Sequence, residues 1–86
     1  MEQKIKQDLS IGKNIRQLRK RSHFTQEEVV ARLQLRGLET SRSIYSQIEC
    51  GTYNIRVSEF IALAELFHTD YNAFFKNLTL PEMNIE

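Results

Sequence analysis

Residues 25–51 read TQEEVVARLQLRGLETSRSIYSQIECG, and this stretch decides the fold. Thr25 followed three residues later by Glu28 has the form of a capping box, in which the hydroxyl accepts from a first-turn amide and the carboxylate reaches back to the cap. Val29, Val30 and Leu33 follow at helical spacing, which predicts a helix over 26–35. Gly37 lies in a connector, 36–40, and Ser41 is suited to cap a further helix whose Tyr45 and Ile48 face inward and which Gly51 closes, over 42–50.

The pattern extends on both sides. Upstream, Ile11, Ile15 and Leu18 fall on one face and Arg16, Arg19 and Lys20 on others, predicting a first helix that ends near Arg21. Downstream of a loop, 52–56, the most apolar segment of the chain places Val57, Phe60, Ile61, Leu63, Ala64, Leu66 and Phe67 around a fourth helix, expected to be the central buried one. A fifth short helix, from Asp70 to about Asn77, is suggested by a cap at Asp70 and by Ala73, Phe74 and Leu78, with Pro81 beyond it. Glycine and proline are scarce, limited to Gly12, Gly37, Gly51 and Pro81, and no period-two alternation of β-branched residues occurs. The expectation is one compact all-α domain of five helices over 11–78, with tails at 1–10 and 79–86.

A chain of 86 residues buries only roughly 60 to 65% of its unfolded surface, which excludes a large catalytic domain. No window approaches the roughly 18 apolar residues of a membrane span, and charges occupy the first ten residues, where a signal peptide would be apolar. The expected location is cytoplasmic, with no membrane association. The lone Cys50 cannot pair within the chain, which fits a reducing compartment. His23 and His68 lie beside no ligand at metal-binding spacing, and no nucleophile motif or phosphate loop is present, so neither metal, cofactor nor catalytic residue is expected. The eight aromatic residues lie mostly at core spacing. Charge is unevenly spread: residues 1–21 hold seven basic side chains against two acidic ones, and residues 57–86 one against five, although the net charge is +1.

Helices over 26–35 and 42–50 joined by a short connector have the order of a helix-turn-helix. The outer face of the second carries Ser41, Arg42, Ser43, Ser46 and Gln47, donor-rich and without acids, which suits base edges. Together with IGKNIRQLRK at 11–20, TQEEVVARL at 25–33, SRSIYSQIECG at 41–51 and NIRVSEFIALAELF at 54–67, this resembles the phage-repressor and Cro family of helix-turn-helix DNA-binding domains, the xenobiotic-response-element family of bacterial regulators. The resemblance covers 11–75.

The resemblance implies a lambda-repressor-like fold in which Gln26 donates to a backbone phosphate and braces the recognition helix. Arg42, Ser43 and Gln47 match positions that reach base edges, Arg42 being the best candidate for a bidentate contact to guanine. Ser46 points outward at a matching position, whereas Tyr45 takes a place usually held by a core aliphatic residue and is read as core. Lys13, Arg16 and Arg56, with Asn54 in the same loop as Arg56, are candidates for phosphate contacts that fix register without reading sequence. The resemblance also implies a structural salt bridge between Arg19 and Glu49.

Departures from the family pattern are equally visible. Seven residues, Gln34 to Thr40, separate Leu33 from Ser41 where the pattern has two, and Val30 stands in place of a small alanine that lets the two helices approach. A second helix prolonged through Leu35, then a turn at Gly37 with Leu38 beneath it, would absorb the insertion. Cys50 stands where asparagine is common. The expected function is a sequence-specific double-stranded DNA-binding transcriptional regulator, a repressor acting as a homodimer, without a ligand-sensing domain and not an enzyme. The alternative is a protein-interaction module, an antitoxin or adaptor holding a toxin or regulator, for which the net charge of +1 is the best support.

Overall fold

A computed structural model describes residues 10–78. Apart from Ser10, the expected tails at 1–10 and 79–86 lie outside the described residues. The elements are α1 (Gly12–Arg21), α2 (Gln26–Leu35), α3 (Arg42–Cys50), α4 (Val57–Leu66) and a 3₁₀ helix (Tyr71–Phe75). No helix among the described residues is long and apolar enough to cross a membrane.

Caps set the boundaries. At Thr25 both halves of the capping box form: the Glu28 amide donates to Thr25 Oγ1 at 3.1 Å, and the Thr25 amide to Glu28 Oε1 at 2.8 Å. Ser41 Oγ accepts from the Ile44 amide at 3.1 Å. Gly51 ends α3 with φ of 80°, a conformation that side-chain-bearing residues adopt only at a cost. Loss of the Thr25 hydroxyl leaves a first-turn amide without its acceptor. Thr25→Ala is expected to cost about 1 kcal/mol and to lower the melting temperature by roughly 4–8 °C in a domain of this size, as read by thermal circular dichroism.

The fifth helix departs from expectation in kind. Asp70 does cap it, accepting from the Ala73 amide at 3.2 Å, but the segment is a 3₁₀ helix of five residues rather than an α-helix. The three-residue repeat aligns Tyr71 and Phe74 along one line. Both rings then meet Phe60 of α4, with centroids 5.1 and 4.8 Å away.

The core joins Ile15 and Leu18 of α1, Val29 and Leu33 of α2, Tyr45 and Ile48 of α3, Ile55, and Leu63 and Phe67 at α4 and its end. The inserted turn is absorbed by local geometry. Helix α2 runs on to Leu35, whose side chain stands 86% exposed, and Gly37 turns the chain at φ of 86°. Leu38, hydrogen-bonded to Leu33 O at 3.1 Å, then packs against the core, and Val30 is buried within it.

Helix α4 is not uniformly apolar inward. Ile61, expected in the core, is 41% exposed, while Glu59 is fully buried. Its carboxylate accepts from the Arg56 amide at 2.9 Å, from the Arg56 guanidinium at 3.1 Å and from Thr40 Oγ1 at 2.5 Å. Three donors replace the water that a buried carboxylate gives up. They also fasten the end of the inserted turn to the start of α4.

Candidate nucleic-acid interface

Helices α2 and α3 are held at one corner by a chain of charges. Arg19 of α1 donates through Nε to Glu49 Oε2 at 2.6 Å and through a terminal nitrogen to Oε1 at 3.2 Å, a forked pairing, and also to Phe24 O at 2.9 Å. The two side chains are only 11% and 4% exposed. Burial alone would push the Glu49 carboxyl up, but the donors around it, Arg19 foremost, hold it below its ordinary value. Burial foremost, and then the same carboxylate, push the neighbouring Tyr45 phenol up. Tyr45 is fully buried, in the place expected for core.

Gln26, at the first position of α2, continues this chain outward. Its amide nitrogen donates to Glu49 Oε1 at 3.0 Å, and its amide oxygen accepts from Arg42 Nε at 3.0 Å. The guanidinium of Arg42 also lies 3.6 Å from Glu27 Oε2. An acid from α2 therefore borders the acid-free face of α3. The links from Arg19 to Glu49 to Gln26 to Arg42 run from the inside of the fold to its surface.

Beyond Arg42, the residues Ser43 and Gln47 are exposed on α3 and Ser46 is half-buried. Lys13 and Arg16 stand exposed on α1 and Asn54 is exposed in the loop after α3. Arg56 is different: its side chain is 16% exposed and its guanidinium is turned to the buried Glu59. Cys50 is exposed at the end of α3. No cluster of metal-ligating side chains occurs among the described residues.

Three features escape a reading by periodicity. Gln26 binds side chains 16 and 23 positions away, and no local signal marks such a pairing. Glu59 reads as a solvated helix residue, although its position three after Arg56 is the spacing of a capping box and is a usable signal. Gly12 reads as neutral, yet a Cβ placed there would lie 2.5 Å from the carbonyl oxygens of both Ile48 and Glu49. That glycine lets α1 meet the end of α3 backbone to backbone.

Four helices, the second and third joined through a turn, with an exposed polar face on the third, define the helix-turn-helix class of DNA-binding domain. A model of the helix-turn-helix domain family matches residues 12–78, and the chain belongs to that family, in its xenobiotic-response-element type. No curated protein matches the chain.

Proposed function

We propose that this chain is a sequence-specific transcriptional regulator that binds double-stranded DNA, acts as a repressor, and reads the major groove with α3 as a homodimer. The observation that carries this reading is the exposed face of α3, where Arg42 is aimed by Gln26 beside Ser43 and Gln47. In this reading Arg42 offers its fork to guanine, and Ser43, Gln47 and Ser46 contribute further base contacts. Lys13, Arg16, Gln26 and Asn54 contact phosphates and set register. Arg56, committed to Glu59, serves the interface by seating α4. A domain this small reads few base pairs, and two copies on adjacent half-sites supply the remaining specificity.

The test is binding to random-sequence duplex DNA over a range of salt, followed by selection of enriched sites. The expected result is affinity that falls steeply with salt and selection that converges on a palindrome. Arg42→Ala is expected to lose about 1–3 kcal/mol of discrimination at one position of each half-site. A Lys13→Gln, Arg16→Gln double variant is expected to weaken all sequences alike and to flatten the salt slope by about 2. A wild-type protein that binds no duplex at low salt overturns the reading in favour of a protein-interaction module.

A further inference from the structure

The described cations divide into two sets. Arg19, Arg36, Arg42 and Arg56 pair with Glu49, Glu65, Glu27 and Glu59, and Arg32 lies over the Phe24 ring at 4.8 Å. The others, Lys13, Arg16, Lys20, Arg21 and Lys76, make no ion pair among the described residues. Four of these five are on α1, and the fifth follows the 3₁₀ helix that packs on α1.

Three of them line one groove. Between α1 and the 3₁₀ helix lie two clefts, of about 380 and 260 Å³, which share Asn14, Gln17 and Lys76. Along their length stand Ser10, Lys13, Gln17, Arg21, Lys76 and Asn77, and among the described residues no carboxylate lines either cleft. The walls are tied together: Asn14 Nδ2 donates to Phe74 O at 2.8 Å and to Lys76 O at 2.9 Å. Lys13 and Arg21 are eight residues apart on α1, a separation of roughly 12 Å along its axis. The groove is therefore an elongated channel carrying positive charge along one wall and at Lys76 on the other. Its Ser10 end lies at Gly51, where α3 ends; a Cβ on Gly51 would come within 2.3 Å of Ser10 Oγ.

We propose that this groove seats a phosphodiester strand, the DNA backbone flanking the bases read by α3, with Arg21 and Lys76 as its phosphate ligands. This rests on the reading of the chain as a DNA-binding regulator and extends it from Lys13, already given a phosphate there, along the groove to Arg21 and Lys76. An isolated surface lysine is ordinarily solvated and contributes nothing. Here cations without an ion pair among the described residues converge from two elements far apart in sequence, with amide and hydroxyl donors between them and no described carboxylate in the lining, which suits a repeating anion lacking its own cations. A phosphodiester chain presents such charges at regular intervals, and each cation that neutralises one releases a counterion.

The experiment compares wild type, an Arg21→Gln, Lys76→Gln double variant and the charge-keeping Arg21→Lys, Lys76→Arg variant on random-sequence duplex by fluorescence anisotropy over a range of salt. Both positions are exposed, and unchanged melting curves verify folding. The proposal expects the plot of log affinity against log salt to be shallower by about 2 for the glutamine variant. The sites it selects stay the same, and the charge-keeping variant matches wild type. Wild type and glutamine variant binding with equal slopes overturns the groove while leaving the DNA reader intact. A wild type that binds no duplex overturns both. Binding of polyglutamate in place of duplex, lost in the glutamine variant, assigns the groove to an acidic protein and overturns the phosphodiester proposal.

Discussion

Gly12→Ala is expected to lower the melting temperature by more than about 10 °C, a loss of about 2–3 kcal/mol in a domain this small. The added Cβ would lie 2.5 Å from the carbonyl oxygens of Ile48 and Glu49, and 2.8 Å from the Glu49 carbonyl carbon. These are backbone atoms of α3, so no side-chain rotation relieves the contact; α1 must move away from α3 or the turn must deform. Alanine favours a helix over glycine by up to about 1 kcal/mol, which works against this loss, so any net destabilisation reports the close approach. Gly37→Ala makes the control. Gly37 has φ of 86° but nothing within 4 Å of a new Cβ, and its substitution carries backbone strain alone, about 1–2 kcal/mol. Equal melting temperatures for wild type and Gly12→Ala would show that α1 and α3 do not meet in solution as described.

Glu49→Ala is expected to be the most damaging single change in the interface, at about 3–5 kcal/mol, because it leaves the Arg19 guanidinium buried without its partner. Stability of that order is most of what a small domain has, so the variant should be largely unfolded at 37 °C by circular dichroism. Milder evidence comes from pH. Glu49 in the folded protein lies below its ordinary value of 4.5, so its contribution is complete above that value and is lost as pH falls through the lowered folded value. Arg19, raised by its hydrogen bond to Glu49, stays charged throughout. The melting temperature of the wild type should therefore fall on acidification below about pH 4.5, and Glu49→Gln should show a shallower fall from a lower plateau. Identical acid dependence in the two proteins would remove Glu49 as its source.

What the sequence discloses of this fold is mostly what is local in the chain. Thr25, Ser41 and Gly51 act on amides within three or four residues, and the helices they bound stand where caps and apolar spacing place them. The inserted turn is legible for the same reason, since Gly37 and Leu38 act within a few positions of Leu33. The segment after Asp70 is legible as helical but not as 3₁₀; its rings meet Phe60, more than ten residues away, and no local signal marks that contact. Ile61 and Glu59 exchange their expected environments because hydropathy alone ignores donors brought from the Thr40 turn. The candidate site divides similarly. Exposure of Arg42 and Gln47 follows from the helix face that Tyr45 and Ile48 bury, whereas the tie of Gln26 to Arg42 needs two helices already in place.

That tie bears on how Arg42 would meet a base. Arg42 is occupied before DNA arrives, by Gln26 Oε1 at 3.0 Å and by Glu27 at 3.6 Å. In the proposed complex the Nε bond to Gln26 holds the guanidinium in place, and only the terminal nitrogens, beside Glu27, exchange partners for the base. The paired acceptors on the guanine edge match two guanidinium nitrogens, while a single carbonyl engages only one. If Arg42 reads a base as proposed, α2 acts on it twice: Gln26 fixes its direction, and Glu27 is the partner that a base has to replace.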